Sequence, residues 1–244
     1  MRMTNNGLMD HAHMTRALEI AERGRFTTKP NPVVGCLIVK GSEVIAEGWH
    51  ERAGDAHAEV NALQAAGEAA RDAQAIVTLE PCSHIGRTGP CVEALISAGI
   101  VRVAAAMQDP NPAVAGRGFQ RLRDAGMEVV IGIEGKRAAA LNPGFIRRMQ
   151  TGRPRVRVKL AASMDGRTAA SDGSSQWISS EASREDVHRL RAGSCAVVTG
   201  MGTVNADNPR LNARLTEPIV QPLRVIIDST GQLSTKAALS LIHI

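Results

Sequence analysis

The chain has 244 residues, 43% of them apolar and 22% charged, which fits a globular protein with one large core or two ordinary ones and disfavours a disordered chain. Its 29 Lys and Arg against 24 Asp and Glu leave a net +5, which invites an anionic partner, although a solvated basic surface would carry the same excess; with no Tyr, three Phe and two Trp the stacking platform of a single-strand nucleic-acid binder is nearly absent, so a small phosphorylated substrate is the better expectation. No apolar run approaches the roughly 18 residues of a membrane span, and four scattered cysteines make no secreted disulfide framework, so neither nucleic acid nor membrane is expected as a partner and a reducing cytoplasm is the expected location.

Asp10 can cap a first helix in which Met14, Ala17, Leu18 and Ala21 recur at helical spacing, with Gly24 as its stop. "NPVVGCLIVKGSEVIAEGWH" reads as two β-branched runs about Lys40-Gly41-Ser42, a hairpin signal. Ala56 to Ala66 is expected as a helix, Ala75 to Leu79 as a buried strand, and Cys91 to Ala98 as a helix with Pro90 in its first turn and Gly99 after its end. The alternation continues with a strand at Val101 to Ala106, a helix at Gly118 to Ala125, a strand at Met127 to Ile131 and one helix over Glu134 to Gln150. This predicts a three-layer α/β domain over residues 1–150. "TGRPR" has linker chemistry, and 151–154 is the expected linker. A second α/β unit, 155–244, is expected to open on a strand, "RVRVKLAAS", followed by a polar loop, a helix near Glu181 to Ala192 and strands at Cys195 to Thr199 and Arg224 to Asp228.

The chemistry concentrates in the first domain. His57-Ala58-Glu59 is followed, after a strand, by Pro81-Cys82 and then Cys91, with eight residues between the cysteines. One imidazole and two thiolates suit a tetrahedral Zn2+ with one position left for water, whose pKa the metal lowers toward neutrality. Glu59 is then the candidate proton shuttle, the logic of zinc-dependent deaminases. His57 and Glu59 are two apart and face each other only if both lie in a first helical turn. Other readings stand beside this one. The three ligands could form a structural site, closed by His84 as a fourth, or be plain buried residues. Cys36 and Cys195 lie in apolar strand patterns and read as small core residues. His11, His13, His188 and His243 have no partner motif.

Together "NPVVG", "GWHERAGDAHAEVNAL", "TLEPCSHIGRTGPC" and "MQDPNPAVAGRG" resemble the bifunctional riboflavin-biosynthesis deaminase-reductase family, a resemblance running from about Met9 to Ser229. Gly89 departs from it, since the family usually has Pro there. The resemblance implies a cytidine-deaminase-like domain that hydrolyses the exocyclic amine of a diaminopyrimidinone bearing a phosphoribosylamino arm. It carries the zinc role to His57, Cys82 and Cys91, the proton shuttle to Glu59, and substrate contact to Asn31, His50, His84 and Arg87; the planar guanidinium of Arg87 suits a phosphate, although a solvent-facing loop arginine is the plain alternative. Beyond the linker, "VKLAASMDGRTA", "SSQWISS", "LRAGSCAVVTGMGTVNADNPRLNAR" and "RVIIDS" resemble the family's dihydrofolate-reductase-like domain, which uses NADPH. Ala161, Trp177, Thr203, Asp207 and Ser229 match its nucleotide-contacting positions, and Ser175, Arg191, Leu211 and Arg214 its substrate-contacting ones. Without the resemblance Lys159 reads as a strand charge, Trp177 as a core aromatic and "GMGTVNADNPR" as a turn.

The sequence stops at Ile244, soon after "RVIIDS", where the family continues, so the second domain is expected to be incomplete and inactive as a reductase. Three functions remain in play: the riboflavin-pathway deaminase with an attached reductase domain, a deaminase of tRNA or free nucleobases, and a non-enzymatic zinc-stabilised binding module. The long excursion between the cysteines and the second domain weigh against the second. The vacant coordination position and Glu59 weigh against the third. Oligomeric state is left open, a homo-oligomer included.

Overall fold

The computed structural model describes residues 5–84, 89–112 and 114–240 and divides into two compact units, 1–155 and 156–244. In the first, β1 (Gly35–Lys40) and β2 (Glu43–Trp49) form the expected hairpin. With β3 (Gln74–Val77), β4 (Arg102–Ala105) and β5 (Glu128–Ile131) they make a five-stranded sheet ordered β2-β1-β3-β4-β5, in which β1 is antiparallel to both neighbours and β3, β4 and β5 run parallel. The strands are apolar runs because the sheet is covered on both faces. Cys36, Ile38, Ala75, Val77, Val103 and Ala105 face one side, in one core with residues of α2 (Ala58–Ala66), α3 (Cys91–Ser97) and α4 (Arg117–Asp124). Leu37, Val39, Ile76 and Ala104 face the other, with residues of α1 (Asn5–Ala21) and α5 (Gly135–Leu141). The alternation of the strand makes the three layers.

Three expectations for this unit are corrected. Asp10 does not cap α1, which begins at Asn5; it lies inside the helix, and its carboxylate accepts from the Arg102 guanidinium of β4 at 3.0 and 2.7 Å. A charged partner for a buried carboxylate outweighs the capping preference. The single helix over 134–150 is two, α5 and α6 (Pro143–Thr151), because Pro143 cannot donate to the preceding turn and so starts a helix. The break turns Asn142 inward: its Oδ1 accepts from Val33 N at 2.7 Å and its Nδ2 donates to Val33 O at 2.8 Å. Finally, α6 takes in Thr151, the first residue of the expected linker.

Strand β2 rests directly on α2 at Gly48. A Cβ there would overlap the backbone at Ala62 N and Ala58 O. Gly48→Ala is therefore expected to cost about 1–3 kcal/mol through forced separation of strand and helix, read as a lower denaturant midpoint at unchanged slope.

The second unit is also α/β, with α7 (Glu181–Ala192), β6 (Ala196–Gly200), α8 (Met201–Asp207) and β7 (Leu223–Ile227), and β6 pairs with β7 in parallel. Ser180 caps α7, its side chain accepting from Ser183 N at 3.2 Å. The stretch read as a turn at "GMGTVNAD" is largely α8. The expected strand "RVRVKLAAS" is absent: Val156, Val158 and Leu160 are 78, 78 and 79% exposed, and a strand-like alternation forms no strand without a neighbour to pair with. Cys195 is exposed just before β6 and is not a core residue, whereas Cys36 is fully buried. Trp177, read as a core aromatic, is 69% exposed, with the Arg184 guanidinium 4.2 Å over its ring. Val204, Ala237 and Leu239 form a small core, while Val198, Leu223, Val225 and Ile227 remain exposed on the two strands. Among the described residues no helix is long and apolar enough to cross a membrane.

Candidate functional site

The site gathers where β3 ends and α2 and α3 begin. His57 is the N-cap residue of α2 and Glu59 lies in its first turn, so a pair two apart in sequence converges at one helix end. Cys82 follows the β3 exit, and Cys91 is the first residue of α3, after Pro90. His57 Nδ1 lies 3.2 Å from Cys91 Sγ and 3.5 Å from Cys82 Sγ, and the three ligand atoms all fall within 4.8 Å of one another. Zinc–sulfur and zinc–nitrogen bonds of ordinary length in a tetrahedron would separate these atoms by about 3.5–3.8 Å. The donor set fits such an ion. Cys91 N donates to Cys82 Sγ at 3.3 Å, so the start of α3 faces a thiolate. His84 is exposed and lies outside this cluster, which among the described residues has no fourth side-chain ligand.

The electrostatics suit a cation. The Cys82 thiol is pushed well down, first by the hydrogen bond from the Cys91 thiol and then, against the cost of burial, by His57. The same bond, with burial and Glu59, pushes the Cys91 thiol up. His57 is pushed up, chiefly by its hydrogen bond to Cys82. A dication taken by these groups would displace the protons they share. Glu59 is 4% exposed, and burial above all pushes its carboxyl up to about 7. It also hydrogen-bonds the Cys91 thiol.

Asn31 and His50 are brought together at the same end of the sheet. His50 is buried, with its ring edge-on to His57 at 5.4 Å between centroids. Its Nδ1 lies 3.0 Å from Ala56 O, which can only accept, so Nδ1 carries the proton and Nε2 accepts from Asn31 Nδ2 at 3.1 Å. Burial pushes this imidazole down. Arg87 lies outside the described residues. Two acidic residues that the motif reading passed over also belong here. Glu80 is buried, and Asp109, half-buried, has its carboxyl pushed up mainly by burial and also acted on by Glu80, His84 and Cys82. The acidic position immediately before Pro81-Cys82, in an otherwise apolar strand exit, was the available signal for Glu80.

In the second unit, Arg191 is half-buried and its guanidinium is pushed down, by burial first and then by the charge of Arg214. Arg214 N donates to His188 Nδ1 at 3.3 Å. Leu211 is buried with φ +55, a left-handed conformation rare for Leu, and Ser175 is half-buried. Of the nucleotide-matched residues, Ala161 is half-buried while Trp177, Thr203, Asp207 and Ser229 are exposed.

Residues 9–107 match the cytidine and deoxycytidylate deaminase zinc-binding region, and residues 154–242 match the RibD C-terminal domain. The chain is 53% identical over 239 residues to the riboflavin biosynthesis protein RibD of Escherichia coli, covering 93% of this chain and 65% of the relative, and 48% identical over 246 residues to that of Haemophilus influenzae, covering 96% and 66%. It thus spans about two thirds of the length of these curated relatives. Among solved structures, a diaminohydroxyphosphoribosylaminopyrimidine deaminase/5-amino-6-(5-phosphoribosylamino)uracil reductase from Thermotoga maritima superposes with a TM-score of 0.90 at 40% identity, over 98% of this chain and 68% of that one. Acinetobacter baumannii RibD superposes with a TM-score of 0.93 at 51% identity over 97% of this chain and 68% of its own, and with both halves matched in this way the chain belongs to the RibD family.

Proposed function

We propose that the first unit carries out the deamination step of riboflavin biosynthesis, the zinc-dependent hydrolysis of 2,5-diamino-6-(5-phosphoribosylamino)pyrimidin-4(3H)-one to 5-amino-6-(5-phosphoribosylamino)uracil. The observation that carries this reading is the convergence of His57 Nδ1, Cys82 Sγ and Cys91 Sγ within 4.8 Å, beside a buried Glu59, in a chain about half identical to RibD proteins. Zinc held there by those three residues supplies Lewis acidity that brings a water toward ionisation near neutral pH. Glu59 carries water's two protons in turn: one goes to the ring nitrogen as oxygen adds across the C=N bond, the other to the exocyclic amine as the carbon–nitrogen bond breaks, so that ammonia leaves and a ring carbonyl remains. Asn31 contacts the pyrimidine, and His50, with both ring nitrogens engaged, fixes which end of the Asn31 amide donates. His84 and Arg87 are further substrate contacts, the guanidinium of Arg87 being of a kind suited to the phosphate. A reducing cytoplasm keeps both cysteines available as thiolates.

The second unit has the family's reductase character, with NADPH as its reductant. Ala161, Trp177, Thr203, Asp207 and Ser229 occupy its nucleotide positions, and Ser175, Arg191, Leu211 and Arg214 its substrate positions, the two cations suiting the substrate's phosphate. The exposed apolar side chains of Val198, Leu223, Val225 and Ile227 on β6 and β7 support an incompletely packed second unit in this chain. The test is ammonia release from the diaminopyrimidine phosphoribosyl substrate beside cytidine, guanine and a tRNA stem-loop, with NADPH oxidation followed separately on the deaminated product. Ammonia from the first substrate alone, without NADPH oxidation, is expected. Release from cytidine, guanine or the stem-loop at a comparable rate would refute the substrate assignment, and NADPH turnover matching a full-length relative would refute the incomplete reductase.

A further inference from the structure

Glu80 lies between β3 and Cys82 with only 4% of its surface exposed. A carboxylate is rarely hidden in this way unless its oxygens are satisfied. Here the backbone satisfies both: Oε1 accepts from Gly118 N at 2.9 Å and Phe119 N at 3.4 Å, and Oε2 accepts from Asp109 N and Gly116 N at 3.0 Å each. Gly118 and Phe119 belong to the first turn of α4, where backbone N–H groups lack helical acceptors and the helix dipole favours an anion. The fit is close enough that a Cβ on Gly118 would overlap Pro81 O and come within 3.1 Å of Glu80 Oε1. One carboxylate thus gathers four N–H groups from residues 109–119.

Both ends of this arrangement reach the metal-ligand candidates. Pro81 leads directly to Cys82, whose Sγ accepts from Cys91 N at 3.3 Å and whose carbonyl accepts from Val92 N at 3.2 Å. At the other end, Asp109 lies within the electrostatic reach of Cys82 and His84. Glu80 N also donates to Met107 O at 3.0 Å, so the exits of β3 and β4 are tied by backbone as well as side chain.

We propose that Glu80 is a positioning residue, its carboxylate fastening the Asp109–Phe119 segment to the β3 exit so that Cys82 stays at metal-binding distance from His57 and Cys91. The proposal rests on reading those three residues as zinc ligands. Glu80→Gln probes it because the amide keeps the shape but turns one oxygen into a donor, and whichever way the amide is turned, two backbone N–H groups then face another donor. Residues that orient metal ligands from behind typically change metal affinity by roughly 10–100-fold when replaced.

The experiment uses the zinc-loaded full chain. Zinc content of the wild type is measured first, followed by zinc transfer to a chromophoric chelator and amide exchange at Asp109, Gly116 and Gly118 in wild type, Glu80→Gln, Glu80→Asp and Asp10→Asn. Asp10→Asn loosens the same unit at Arg102, the opposite end of β4 from the site, and serves as the control for general destabilisation. Glu80→Gln is expected to transfer zinc roughly 10–100-fold faster than wild type and to exchange the three amides faster. Glu80→Asp, which keeps the charge on a shorter stem, should fall between, and Asp10→Asn should keep wild-type transfer. Zinc transfer by Glu80→Gln no faster than by Asp10→Asn overturns the proposal. Should Glu80→Gln fail to fold, wild-type transfer by Glu80→Asp overturns it instead. A zinc-free wild type overturns the ligand reading on which the proposal rests, and that result is in hand before any variant is compared.

Discussion

Glu59→Gln is expected to retain its zinc and to lose about 10²–10⁴-fold in the rate of ammonia release, the usual worth of a positioned general acid–base. The metal should stay because Glu59 lies outside the cluster formed by His57, Cys82 and Cys91. The amide fills the same buried space but cannot take a proton from water and return it to a leaving nitrogen. Zinc analysis and a single-turnover ammonia assay on the same preparation check both halves. Ammonia release within tenfold of wild type would show that another group carries the proton. Loss of zinc along with activity would show that Glu59 acts by supporting the metal.

Cys91→Ser is expected to fall from about one zinc per chain to none, since a single three-ligand cluster is found among the described residues and an alcohol does not replace a thiolate there. Cys91 is fully buried and opens α3, while its partners lie at the start of α2 and past β3, so the metal would join three elements. Binding that favours the folded state stabilises it by about 2.7 kcal/mol when free zinc is 100 times the dissociation constant. The wild-type melting temperature should therefore rise with added zinc, and that of Cys91→Ser should not. Elemental analysis with melting curves at graded zinc is the measurement. A variant that keeps stoichiometric zinc would remove Cys91 from the ligand set.

The clustering of His57, Cys82 and Cys91 was readable because the chemistry that would use it depends on side-chain type: histidine, cysteine and glutamate at this spacing have few other uses together. The sheet was readable for a similar reason, in that runs such as "GCLIV" and "QAIV" are buried on both faces. What escaped depended on partners distant in the chain. The environment of Glu80 is made of backbone N–H groups, which leave little mark in sequence beyond Gly116 and Gly118. Asp10 reads as a cap until Arg102, 92 positions away, is brought beside it. "RVRVKLAAS" has the alternation of a strand, but alternation specifies which face each side chain takes and not whether a neighbouring strand exists. The divided helix was legible by contrast, since Pro143 cannot donate to a preceding turn and so marks the start of a second helix.

Asn142 and Val33 are joined by two hydrogen bonds across 109 positions, and this sets how short a folded fragment carrying the candidate site can be made. The region matching the deaminase zinc-binding family ends at residue 107 and already contains His57, Glu59, Cys82 and Cys91. A polypeptide cut there would leave the Val33 amide and carbonyl facing an empty place where the Asn142 side chain belongs, and the Glu80 carboxylate without the four N–H groups that satisfy it. Each deserted polar group costs on the order of 1–3 kcal/mol, which is a large fraction of what holds a small domain folded. Every residue named in the motifs would be present in such a fragment, yet its boundary would have to move past Asn142 before those residues had a stable place to act.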